Sequence, residues 1–118
     1  MKKSLLIYLF LFLLVVPAWA ADNVKYSATL NDLPLTAQMK ENVDESMVFD
    51  IPQGRIVEVI AFTPETKEQV TAFYQKTLPA LGWVRDEDLT FHRDREKLVI
   101  RINAITKRTI VQFTLSPL

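Results

Sequence analysis

Apolar positions change their spacing several times along the 118 residues of the chain. Residues 5–16 (LLIYLFLFLLVV) form one unbroken apolar run. Residues 21–45 have weak periodicity, with Leu30, Leu33, Leu35 and Met39 as the main apolar points and Pro34 barring a helix through them. That segment reads as an extended arm with at most one turn of helix. Residues 47–51 (MVFDI) and 55–62 (RIVEVIAF) are rich in β-branched and aromatic side chains, which suit strands. Pro52-Gln53-Gly54 between them reads as a hairpin turn, with proline at its first position and a left-handed glycine closing a bulged type I turn.

The period then changes to that of a helix. Val70, Phe73, Tyr74, Thr77, Leu78 and Leu81 fall on one stripe. Thr63 can cap this helix with Pro64 at its first position. A later start has Thr66 as the cap and Gln69 as its reciprocal partner. Pro79 removes a hydrogen bond from the last turn, Gly82 stops the helix in the left-handed region, and Trp83 ties its end to the sheet. After an acidic loop, Asp86-Glu87-Asp88, the period falls to two. Leu89 and Phe91 alternate with Thr90 and His92, Leu98, Ile100 and Ile102 with Val99, Arg101 and Asn103, and Val111, Phe113 and Leu115 with Ile110, Gln112 and Thr114. These predict three antiparallel strands. The order ββαβββ implies a two-layer α+β domain over residues 46–118, with one main helix on a mainly antiparallel sheet of four to five strands.

The first apolar run has a different meaning. Lys2 and Lys3 precede it, Pro17 breaks it, and Ala18-Trp19-Ala20 offers small residues before a cut at Ala21. This is the three-part pattern of a cleavable signal peptide over residues 1–20. The run is several residues short of the ~20 that a spanning helix needs. The expected product is exported to the periplasm, soluble after cleavage and without a transmembrane segment. The chain has no cysteine, so a lipid-bearing cysteine, disulfides, thiolate metal sites and a cysteine nucleophile are all ruled out.

Charge is uneven. Residues 22–50 hold six acids and two bases, and residues 93–108 hold six bases and two acids. Both lysines of the leader are basic, so the remainder is slightly acidic overall, which argues against a nucleic-acid partner. The basic stretch is a candidate surface for an anionic partner through Arg93, Arg101, Lys107 and Arg108, with His92 beside it. Its plainer reading is a solvated face.

Candidate chemistry is sparse. His92 is the only histidine, whereas a catalytic zinc wants three protein ligands, so no metal site is expected. Asp86, Glu87 and Asp88 lack the alternation and the turn glycine of a calcium loop. Ser27, Ser46 and Ser116 lie outside any nucleophile-elbow motif. Beyond the leader only Gly54 and Gly82 occur, so no phosphate-cradling loop is present. No cofactor is implied. Glu58 sits in an apolar strand, where a carboxylate is costly unless paired. It reads as an outward residue or a partner of Arg55 or Arg101, or else, with Tyr74 and Trp83, as part of a small pocket between helix and sheet.

The outward sheet face would carry Val99, Ile110 and one side of residues 55–62 beside Thr90, His92, Arg101 and Gln112. One helix cannot cover both faces, so something else should shield this one. The arm, a second subunit, a partner and an apolar ligand are the alternatives.

Val70-x-x-Phe73-Tyr74-x-x-x-Leu78-Pro79-x-Leu81-Gly82-Trp83, with Gly54-Arg55-Ile56-Val57 before it and Phe91-x-Arg93 after it, resembles a group of small exported proteobacterial proteins of unknown function. The resemblance spans about residues 33–115. It implies a shared fold and compartment and carries over no active site. The layout also looks like that of small envelope-assembly lipoprotein domains, without their cysteine. The expected function is a non-catalytic periplasmic binding or accessory role toward an envelope protein or anionic envelope component. A carrier of an apolar ligand or lipid is the alternative, and a small hydrolase the least favoured.

Overall fold

A computed structural model describes residues 24–118. Residues 1–20, for which the sequence leads one to expect a signal peptide, lie outside the described residues. Among the described residues, nine strands and one helix follow in order: β1 Lys25–Tyr26, β2 Pro34–Leu35, β3 Lys40–Glu41, β4 Met47–Ile51, β5 Gly54–Thr63, α1 Lys67–Ala80, β6 Val84–Glu87, β7 Thr90–Arg93, β8 Glu96–Ile105 and β9 Arg108–Pro117. β1 and β2 pair with each other. The other seven form one sheet in the order β3-β5-β9-β8-β7-β6, with β4 also on β5. Every pairing is antiparallel.

The architecture is therefore α+β with one helix on an antiparallel sheet, but the sheet has seven strands, not four to five, and the order is not ββαβββ. β6 is the main addition. Its residues, VRDE, are all exposed, so an edge strand wet on both faces leaves no alternation to read. β3 is only two residues long.

The helix starts at the later of the two caps. Thr66 Oγ1 accepts from Gln69 N–H at 3.1 Å, and Gln69 Oε1 accepts from Thr66 N–H at 2.8 Å, which is a reciprocal capping box. Gly82, at φ +93°, ends it. Trp83 N–H donates to Leu78 O and Gly82 N–H to Pro79 O, both at 3.1 Å, so the last carbonyls are satisfied in a Schellman motif. Pro79 is tolerated because it stands one residue from the helix end. Val70, Tyr74 and Leu78 are buried, whereas Leu81 is exposed. Leu81 is the cap rather than a member of the stripe, and the helix has already ended.

Register divides the sheet into two faces. Val57, Leu115, Leu98 and Phe91 stand opposite one another in sequence across β5, β9, β8 and β7. Val59, Phe113 and Ile100 make the next row, and Ala61, Val111 and Ile102 the third. All ten side chains are buried and belong to the core that includes Val70, Tyr74 and Leu78. Leu30, Leu33, Leu35 and Met39 lie in that same core. The arm thus packs on the helix side of the sheet and not on the outer face. Tyr74 binds it there, donating from Oη to the Pro34 carbonyl at 2.7 Å.

The β4–β5 turn is two residues long, with Ile51 opposite Gly54 and no bulge. Gly54 adopts φ +149°, a conformation that strains any side-chain-bearing residue, and a Cβ there would also press on Pro117 Cγ at 3.1 Å.

Candidate sheet-face interaction site

Glu58 opposes Met47 and Thr114, so it belongs to the outer face, as its neighbours Val57 and Val59 point inward. Three outer rows follow from the register. Met47, Glu58, Thr114, Val99 and Thr90 form one. Ile60, Gln112 and Arg101 form the second, and Lys40, Phe62, Ile110 and Asn103 the third. Phe49 stands opposite Ile56 at the other end of β4 and β5. Among the described residues no helix or strand packs over this face. Its apolar members are half-buried or exposed, with Met47 at 47% and Phe49 at 45%.

The face has its own polar order. Gln112 Nε2 donates to Glu58 Oε1 at 3.2 Å. Neither Arg55 nor Arg101 pairs with Glu58. Arg55 instead reaches Glu96, Nε to Oε2 at 2.9 Å and Nη2 to Oε1 at 3.2 Å; this hydrogen-bonded pairing, with the charges of Glu96, Asp32 and Asp50, raises its pKa against the lowering effect of burial. Arg101, Lys107 and Arg108 have no carboxylate within 4 Å among the described residues. Arg108 lies over the Phe62 ring, 4.6 Å from its centroid, so its charge sits directly beside the apolar rows.

The proposed residues do not all come together. Arg101 and Arg108 share the outer face, and Lys107 occupies the adjoining β8–β9 turn at φ +68°. His92, opposite Lys97, lies on the same face toward the other edge, where its Nδ1 is 2.7 Å from Asp86 Oδ1. Arg93 is separate. The parity that turns Phe91 inward turns Arg93 the same way, onto Trp83, with its guanidinium carbon 4.4 Å from the ring centroid. It donates from Nη1 to Leu81 O at 3.0 Å and pairs with Asp32. Arg93 therefore seals the helix end instead of joining a basic surface.

The pocket suggested by Glu58, Tyr74 and Trp83 does not assemble, because Glu58 is on the opposite side of the sheet from the other two. The space around Tyr74 is occupied by protein. Its ring meets Phe73 and Phe113 edge-on, with centroids 4.9 and 5.2 Å away. Burial, with a smaller contribution from the Glu65 charge, pushes the Tyr74 hydroxyl pKa far up, so it stays a neutral donor.

Three contributors were not singled out from the sequence. Met47 and Phe49 belong to the outer face, which strand parity alone makes legible. Glu41 anchors the arm by accepting from Ser27 Oγ at 2.6 Å, Ala28 N–H at 2.8 Å and Thr29 Oγ1. Burial would raise its pKa, but these donors and Thr29 N–H outweigh burial and hold it below the usual carboxylate value. No local sequence signal marks that contact.

Among the described residues, no cluster of three or more histidine, aspartate or glutamate side chains is placed to hold a metal ion, and no helix is long and apolar enough to cross a membrane. Comparison with protein-family models, curated proteins and solved structures returned no match to this chain.

Proposed function

We propose that this chain is an exported, non-catalytic binding or accessory module that engages an acidic protein partner of the envelope through the outer sheet face. One observation carries the reading. Met47, Phe49, Ile56, Ile60, Phe62 and Ile110 share that face with Arg101 and Arg108, while the arm and helix lie together on the other side. An apolar patch rimmed by charge gains from burial against a partner, and the arginines select and orient an acidic one. The export part rests on residues 1–20 and on the resemblance carried by residues 70–83. A carrier with its ligand between helix and sheet is less well supported, since Tyr74, Phe73 and Phe113 pack against one another there.

The test is capture from an envelope fraction by the purified, processed protein, compared with Arg101→Glu and Arg108→Glu. Retention of a defined protein that falls at least tenfold in both variants supports the reading. Equal retention by the variants, or none above background, contradicts it.

A further inference from the structure

One corner of the outer face gathers two cations around one aromatic ring. Pro64 has no backbone N–H, so β5 stops at Thr63. An open cleft of about 500 Å³ lies at this strand end, lined by Gln38, Lys40, Phe62, Thr63, Pro64 and Arg108. Register explains which side chains meet there. Phe62 stands between Lys40 of β3 and Ile110 of β9. Arg108, two residues before Ile110, shares its parity, and its guanidinium carbon is 4.6 Å from the Phe62 ring centroid.

No acid of the fold neutralises either cation. Lys40 and Arg108 have no carboxylate within 4 Å among the described residues. The acids nearest in sequence are engaged elsewhere. Glu41 accepts from Ser27, Ala28 and Thr29, and Glu65 accepts from Thr36 and Thr63. Contact with the ring holds the Arg108 guanidinium without consuming its N–H donors. The cleft therefore offers a donor fork and an ammonium beside the apolar surface of Phe62 and Pro64.

That combination fits a carboxylate joined directly to an apolar group. An arginine fork matches a carboxylate, and Lys40 adds a second charge. A bare phosphate ion fits less well, because it would give up hydration against Phe62 and Pro64, and no glycine lines the cleft to form a backbone cradle. A C-terminal residue carries its carboxylate and an apolar side chain on one Cα. We propose that this cleft receives the C-terminal carboxylate and apolar last side chain of a protein partner. The inference rests on the outer-face reading above, and it names the part of the partner that Arg108 and Lys40 hold.

Titration of the processed protein with N-acetylphenylalanine, followed through backbone amide NMR signals, tests it. N-acetylphenylalaninamide, acetate and decanoate are titrated in parallel. The acid should give saturable shifts centred on Lys40, Phe62, Thr63 and Arg108. The amide, which lacks the charge, and acetate, which lacks the apolar group, should each bind at least tenfold more weakly. Lys40→Gln and Arg108→Gln should each weaken the acid at least fivefold, with the remaining spectrum verifying their fold. Equal binding of acid and amide, shifts centred elsewhere, no effect of either variant, or tighter binding of decanoate would overturn the inference. The probe requires no envelope partner. Its failure therefore leaves capture through Met47, Phe49 and Arg101 intact, and failed capture beside a bound probe counts against the outer-face reading alone.

Discussion

Arg93 lies over the Trp83 indole, its guanidinium carbon 4.4 Å from the ring centroid, just past the end of α1. The same guanidinium donates to Leu81 O and pairs with Asp32 of the arm, so one side chain joins helix end, sheet and arm. Arg93→Ala is expected to lower stability by about 1–3 kcal/mol, measured by urea unfolding. Arg93→Lys should recover little, because an ammonium cannot stack and fork at once. Partner capture should survive in both variants at temperatures where they remain folded.

Tyr74 provides a second test of the arm's attachment. Its hydroxyl serves the Pro34 carbonyl from a fully buried position. Tyr74→Phe keeps the ring but removes that donor, and should cost about 1–3 kcal/mol. The native pKa is raised, so the contribution is complete below tyrosine's ordinary value of about 10 and fades as pH rises above it. The stability gap between wild type and Tyr74→Phe should therefore narrow in alkali.

Glu41 gives the opposite pH dependence. Its native pKa is lowered, so the stabilising contacts with Ser27, Ala28 and Thr29 are fully present above glutamate's ordinary value of about 4.3. They are lost as pH falls through the lower native value. Glu41→Gln should cost about 1 kcal/mol at neutral pH, a modest figure because the carboxylate is partly solvated. The difference should disappear in acid-unfolding curves of the two proteins.

Helix ends and buried strands were legible because their rules are local. Thr66, Gln69 and Gly82 cap and stop α1 through neighbours a few residues away, and the parity of residues 98–102 and 111–115 names the core face directly. β6 was hidden because an edge strand exposed on both faces has no parity to show. Burial of Leu30, Leu33, Leu35 and Met39 was readable as hydrophobicity, but which side of the sheet they cover depends on contacts with Tyr74 some forty positions along the chain. Arg93 and Glu58 were misgrouped by proximity and composition. Parity with Phe91 and Val57 separates Arg93 from the basic face and Glu58 from the core.

The outer-face reading is tested most directly by photocrosslinking from the intact chain in producing cells. A photoreactive phenylalanine analogue is placed at Phe49 or Ile60 on the outer face, or at Lys76 on the exposed side of α1. The expected result is a product with a different protein from Phe49 and Ile60, lost when Arg101→Glu is added, and none from Lys76. Products from Lys76 alone, or none from either outer-face position, would contradict it.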